Sequence, residues 1–312
     1  MSGHDEGGGA GGADVAPGGG PSPGGVLYVV ATPIGNLSDV TLRALKVLAA
    51  VPLIAAEDTR LSKRLLDRHG LTGRMTSFHA RSGSGRRAAL LDHLRGGADL
   101  ALVTDAGTPV VSDPGADLVA AWAGEGGRVV PIPGASAVLA AVAASGVTGP
   151  RWSFEGFLPR SGRERRDRLA AIAADDRGSV LFEAPGRVAA TLRDLAAACG
   201  AGRAGAVCRE LTKIHEQIVR GTLGELATAA ADGTVPARGE FVLVVGMRGD
   251  GDGAEAPGAA VAAASSEDAL AAALGQVQAL VDAGTPRGEA AKRVAAATGL
   301  PRRQLYEVAE GS

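Results

Sequence analysis

Short, evenly apolar runs alternate with amphipathic stretches along most of this chain, and that rhythm restricts its fold more than any other feature. VLYVVA (26–31), DLALVTD (99–105) and RVVPI (128–132) are runs of strand length with little polar alternation. Such runs belong to strands buried on both faces. Between them lie DVTLRALKVLAA (39–50) and GRRAALLDHLRGG (85–97), whose apolar residues recur at helical spacing. Strand–helix alternation predicts an α/β sheet of substantial parallel character. A second set follows: RWSFEGFL (151–158), SVLFEA (179–184), AGAVCREL (204–211) and EFVLVVG (240–246), separated by helical patterns at 163–175, 187–198 and 223–231.

A chain of 312 residues accommodates two such halves and a small appendage. The first α/β domain is expected over 26–148 and the second over 149–247. Residues 1–25 contain 11 of the 47 glycines and almost nothing to bury, so a disordered tail is expected there. The segment has neither the basic start nor the apolar core of a signal peptide. No run reaches the length of a membrane span, and a cytoplasmic protein with no membrane association is expected. Residues 248–266, rich in Gly, Ala and acid, read as a linker. Three short helices are expected over 267–312, a helix-turn-helix-like unit with Arg287, Lys292, Arg293, Arg302 and Arg303 as a modest basic patch.

Four segments break the rhythm. ATPIGNLSD (31–39), TDAGTPVVSDPG (104–115) and PIPGASAVLAA (131–141) each follow a strand, where open α/β sheets bind ligands. Glycine in such loops lets the backbone approach a ligand closely. AEDTRLSKRLL (56–66) places two acids and an arginine at a helix start.

ATPIGNLSDVTLRAL, AEDTR, DAGTPVVSDPG and PGASA, in this order and spacing, resemble the tetrapyrrole-methylase superfamily. With FEGFLPR (154–160), LFEAPGRV (181–188) and RELTKIHEQIVRGTLGEL (209–226), they resemble more narrowly its ribosomal RNA small subunit methyltransferase I branch. The similarity spans about 26–247 and, more loosely, the helical tail. It implies two α/β domains with S-adenosylmethionine in the cleft between them, a homodimer, and 2′-O-methylation of a decoding-centre cytidine in 16S rRNA, within the small ribosomal subunit. The cofactor loops it implies are Pro33, Ile34 and Gly35; Asp105, Ala106, Gly107, Thr108 and Pro109 with Ser112; and Gly134, Ala135, Ser136 and Ala137. In the second half it implies Phe182 and, with Glu183 and Ala184 beside it, the pair Glu240 and Phe241. Tetrapyrrole branches typically carry Gly-Asp-Pro where Gly107–Thr108–Pro109 stands, which argues against a porphyrinoid substrate.

A ribose hydroxyl is a weak nucleophile that benefits from a general base or a charge stabilising the alkoxide. The candidates are Glu57, Asp58 and Arg60, with Glu183 as a further carboxylate; Glu210, Lys213, His215 and Glu216 lie in RELTKIHE. Glu57, Asp58 and Arg60 also fit a plain helix cap and ion pair. RNA needs cations. Arg160, Arg163, Arg165, Arg166 and Arg168 form one run, and Arg60, Lys63, Arg64 and Arg68 another; Arg64, Arg160, Arg163, Arg166 and Lys213 are the RNA-binding candidates. The net charge of −2 excludes a globally basic binder but not local patches. An aromatic content of 3% makes a row of stacking platforms unexpected.

Gly83, Gly85 and Ala88 mimic a dinucleotide fingerprint, with Asp105 at the right distance, but MTSF before them is a poor buried strand. There is no P-loop motif. Cys199 and Cys208 lack metal-ligand spacing, and no metal site is expected. A corrin-type small-molecule methylase and a non-catalytic assembly factor that keeps the cofactor fold remain the alternatives.

Overall fold

The computed structural model describes residues 24–248, 273–282 and 285–298. All but the first residue of the expected linker and nearly all of the expected tail lie outside the described residues, as does the third expected helix. The last tail residue, Gly25, donates its N–H to Leu94 O at 2.8 Å. Two compact units meet in sequence between Ser136 and Ala137.

The first unit is a wholly parallel sheet of β1 (Val26–Val30), β2 (Leu53–Ala56), β3 (Met75–Ser77), β4 (Leu100–Val103) and β5 (Arg128–Ile132), in the order β3-β2-β4-β1-β5. Its helices are α1 (Leu42–Ala50), α2 (Thr59–Arg68), α3 (Ser84–Arg95) and α4 (Ala116–Gly124). β4 shows why the apolar runs do not alternate. Ala101 and Val103 join Leu48, Leu65 and Leu66 in one core cluster. Leu100 and Leu102 join Leu90, Leu94, Leu118 and Trp122 in another. All four β4 residues are buried. The chain leaves β1 toward β2 and β4 toward β5 in opposite directions, so the strand order switches between β1 and β4, which are neighbours. A crevice at their carboxyl ends follows from that reversal.

The second unit is mixed, with β6 (Trp152–Phe157), β7 (Gly178–Glu183), β8 (Ala204–Arg209), β9 (Gln217–Thr222) and β10 (Phe241–Val245) in the order β6-β7-β10-β8-β9. Only β6 and β7 run parallel; the other pairs are antiparallel. α6 (Gly162–Ala174), α7 (Val188–Cys199) and α8 (Leu223–Ala231) bury Leu169, Ile172, Leu192, Leu195 and Leu226 with Leu181, Val207 and Leu243 of the sheet. α5 (Ala137–Ser145) packs on β7, β8, β9 and β10. Arg220 of β9 donates to the α5 carbonyls of Ala144 and, at 3.0 Å, Ser145, a cation at a helix C-terminus. α9 (273–282) and α10 (Arg287–Thr298) pack through Ala273, Val277, Ala290, Ala291 and Val294. Among the described residues no helix is long and apolar enough to cross a membrane.

Candidate active site

The three post-strand loops of the first unit are stitched together at one edge of its sheet. Beyond β1, Ala31 N–H donates to Ile132 O at 3.1 Å. Thr32 and Gly107 exchange two backbone bonds of 2.9 and 3.1 Å. The Thr32 hydroxyl donates to Thr104 O at 3.2 Å, and the Thr108 hydroxyl to Ala135 O at 3.3 Å. Pro33, Ile34 and Gly35, then Asp105 to Pro109, then Gly134 to Ser136, are therefore neighbours, and Ala137 opens α5. Gly107 has φ +81°, and a Cβ there would stand 3.3 Å from Ile34 Cγ2. The backbone is strained nearby: Val110 has φ +77° and Ser112 φ +64°, a region that side chains avoid and functional loops retain.

Carboxylates converge on the same edge. Glu57 and Asp58 follow β2, and the Glu57 N–H donates to Val103 O at 3.3 Å. Asp105 N–H donates to Glu57 Oε2 at 3.4 Å, and Asp58 N–H to Asp105 Oδ1 at 2.9 Å. Burial and the Asp105 charge push the Glu57 carboxyl above its ordinary range; His79 and the Asp105 N–H oppose this. Burial likewise raises Asp105. Asp113, absent from the sequence-based candidates, is moved furthest: burial, then Glu57, raises it to about 6, and Asp105 adds to the rise. The Thr104 hydroxyl is buried without a hydrogen bond of normal geometry, yet lies near enough to oppose that rise. A ligand carrying positive charge would relieve the repulsion among these acids.

Asp58 and Arg60 occupy cap geometry. Asp58 is the N-cap of α2, accepting from Arg60 N at 2.8 Å and pairing with Arg60 Nη2 at 2.5 Å, and that contact holds its carboxyl at about 2.

The second-unit candidates share one edge of their own sheet: Phe241 stands opposite Glu183 on one side and Arg209 on the other. Glu183 is buried with both oxygens engaged. Ala184 N–H donates to Oε1 at 2.8 Å, the Thr191 hydroxyl to Oε2 at 2.6 Å, and Arg187 Nε lies 3.3 Å from Oε1. Phe241 is buried in the core, while Phe182 is half-buried. Lys213 lies between Glu210 (2.9 Å) and Glu240 (3.1 Å), in a loop where Glu210 and Thr212 have positive φ. Burial lowers its pKa, but those two carboxylates prevail and raise it.

Among the arginines, Arg64, Arg160 and Arg166 are exposed, and Arg163 pairs loosely with Asp167 at 3.4 Å. Arg165 departs from the expected basic run. It is 8% exposed and bound to Asp194 (2.7 Å), the Thr191 hydroxyl (3.0 Å) and Pro159 O (3.0 Å). Arg168 is taken by Glu155 at 3.0 Å. Asp113 and Arg187 were within reach of sequence reasoning, as members of the already singled-out segments 104–115 and 181–188; Thr191 gave no such signal.

Comparison with known proteins places the chain. Residues 26–227 match the family described as Tetrapyrrole (Corrin/Porphyrin) Methylases. A protein of Synechocystis sp. named "Ribosomal RNA small subunit methyltransferase I" is 44% identical over 91% of this chain and 97% of its own. The cobalt precorrin-4 methyltransferase structure matches with a TM-score of 0.56 at 20% identity, covering 71% of this chain and 94% of that one. Uroporphyrin-III C-methyltransferase from Thermus thermophilus, complexed with S-adenyl homocysteine, matches with a TM-score of 0.51 at 20% identity, covering 72% and 97%. These two share the fold. The chain belongs to the tetrapyrrole methylase family and, within it, to the ribosomal RNA small subunit methyltransferase I family.

Proposed function

We propose that this chain methylates small-subunit ribosomal RNA with S-adenosylmethionine, at the ribose 2′-hydroxyl of a decoding-centre cytidine in 16S rRNA. One observation carries the reading: three post-strand loops joined at a single carboxyl edge beside clustered acids, in a chain 44% identical over 91% of its length to a protein bearing that family name. The cofactor fits this edge because its sulfonium and ammonium are cations, and Glu57, Asp105 and Asp113 hold ionisable carboxyls raised by burial and, for Glu57 and Asp113, by their neighbours. S-adenosylmethionine supplies an electrophilic methyl group when bound.

The protein's own work is mainly positioning, which in a displacement reaction contributes a large share of the rate. Pro33, Ile34, Gly35, Ala106, Gly107, Thr108, Pro109, Ser112, Gly134, Ala135, Ser136 and Ala137 shape the cofactor cradle; Phe182, Glu240 and Phe241, at strand ends of the second unit, are the residues that the family resemblance assigns to the cofactor there. Glu57 is the carboxylate we assign to the hydroxyl proton. Its raised pKa makes it a stronger base than an ordinary carboxylate, whereas both oxygens of Glu183 are engaged in holding the turn after β7. Asp58 and Arg60 set the start of α2. Arg64, Arg160, Arg163, Arg166 and Lys213 are assigned to RNA phosphates. The protein acts as a cytoplasmic homodimer on RNA within the small subunit.

The test incubates the protein and labelled S-adenosylmethionine with naked 16S rRNA, assembled small subunits or a corrinoid precursor. Label in RNA, at a linkage that resists alkali, is expected. Label only in the corrinoid would overturn the reading.

A further inference from the structure

We propose that the open cavity beside Phe157 and Arg160 is a nucleotide pocket, in which an unstacked RNA base lies on the Phe157 ring and its phosphate pairs with Arg160. The proposal rests on the RNA-substrate reading above and names the element of that substrate which the second unit grips.

β6 carries an irregularity next to this cavity. β6 pairs Phe154 with Val180, then skips Glu155, so that Gly156 faces Leu181 and Phe157 faces Phe182. In a regular strand, residues three apart point to opposite faces. The bulge cancels that alternation, and both rings reach Phe182, with centroids at 5.0 Å for Phe154 and 5.5 Å for Phe157. Gly156 has φ +62°, a conformation open to glycine at little cost. Bulges re-aim side chains and are rare between parallel strands. Here the re-aimed ring is left 54% exposed, at a strand end where burying it against the adjacent core would be favourable.

The cavity that Phe157 lines is about 710 Å³, within the range of roughly 300–1,000 Å³ usual for ligand pockets. Its cations are unequally committed. Arg165 is held by Asp194, Thr191 and a carbonyl. Arg187 is held by Glu183 and the carbonyls of Leu158 and Pro159. Arg160 is exposed on the same rim and bonds to no group among the described residues. Tied arginines make the walls rigid; the untied one is available to an incoming anion. An aromatic face with one uncommitted guanidinium beside it matches a base and its phosphate, the arrangement by which proteins hold splayed single-stranded RNA. A single platform suffices for a single nucleotide, so the low aromatic content is no obstacle.

The experiment compares Phe157→Ala, Phe157→Trp and Arg160→Ala with the wild type. The probe is a fluorescein-labelled single-stranded oligoribonucleotide of the 16S decoding region, read by anisotropy over a salt series. Calorimetry with S-adenosylmethionine and methyl transfer to small subunits accompany it, and thermal melting verifies folding. Phe157→Ala is expected to weaken oligonucleotide binding about tenfold, and Phe157→Trp to restore it. Arg160→Ala is expected to reduce the salt slope by about one. Cofactor affinity stays at the wild-type value in all three. Unchanged RNA affinity in Phe157→Ala would overturn the pocket while leaving the methyltransferase reading intact. Parallel losses of cofactor and RNA affinity would also overturn it, making the cavity an adenine site. A wild-type protein that transfers no methyl to small subunits would remove the function itself, and the pocket with it.

Discussion

Replacing Asp113 with Asn tests the carboxylate cluster by two independent readouts. Burial and the charges of Glu57 and Asp105 raise Asp113 from 3.8 to about 6. For a fully insulated group that displacement corresponds to about 3 kcal/mol. The carboxyl is half-buried, and solvent screening brings the figure to about 1 kcal/mol. The sign follows from linkage. An acid whose folded pKa is raised is protonated more readily when folded than when unfolded. Its penalty is absent below the unfolded value of 3.8, grows as pH rises toward 6, and is complete above that. Asp113→Asn should therefore gain about 1 kcal/mol at pH 7.5, raising Tm by roughly 2–4 °C, and gain nothing at pH 3.5. The second readout has the opposite sense. If the ionised cluster receives the cofactor's positive charge, the same variant binds S-adenosylmethionine about fivefold more weakly at pH 7.5, the loss of about 1 kcal/mol of attraction. Wild-type affinity should also rise between pH 5 and 7. Differential scanning fluorimetry and isothermal titration calorimetry measure the two effects. A variant no more stable than wild type at pH 7.5 would refute the repulsion argument. A more stable variant with undiminished cofactor affinity would show that the cluster serves something other than the cofactor.

The other predictions concern single elements. Glu57→Gln should lower methyl transfer at saturating S-adenosylmethionine at least tenfold, beyond the few-fold loss of cofactor affinity that removing one charge of the cluster causes; unchanged turnover at saturation would remove Glu57 as the base. Arg165→Ala strips Asp194, Thr191 and Pro159 O of a shared partner, and urea unfolding should show a loss of about 2 kcal/mol with the salt slope of RNA binding unchanged. Arg163→Glu with Arg166→Glu should do the reverse, weakening RNA binding while leaving stability in place. Gly115→Ala places a Cβ 2.5 Å from Leu102 Cδ2 at φ +121°, so a loss of about 2 kcal/mol is expected on thermal melting.

Much of the first unit was legible because its central strands are buried on both faces. β1, β4 and β5 stand close to where the apolar runs of 26–31, 99–105 and 128–132 placed them. β2 was hidden by its brevity, four residues of which two are alanine. β3 is a three-residue edge strand, half-buried, so MTS needs no strong apolar pattern. The antiparallel character of the second sheet was not legible from hydropathy: Phe241–Val245 is buried on both faces and reads like a parallel strand. Chain length held the clue. Only residues 210–216 separate β8 from β9, too few for a crossover, but QIVRGT is polar enough to pass for a loop. Among the site residues, the joined loops were readable from proline and glycine placed directly after strands. Arg165 was misread although its period was visible: it lies at i, i+4 and i+7 with Leu169 and Ile172, the buried face of α6. Asp113 could not be ranked above its neighbours, since its pKa depends first on burial and then on Glu57, which the fold brings from another segment.

Methyl transfer from labelled S-adenosylmethionine to assembled small ribosomal subunits, mapped by alkali resistance to a single nucleotide, tests the central claim most directly. The account predicts one labelled 2′-O position, a cytidine of the decoding centre, and loss of that label in Glu57→Gln. Label on a base instead of a ribose, or no label in RNA alongside label in a corrinoid, would contradict it.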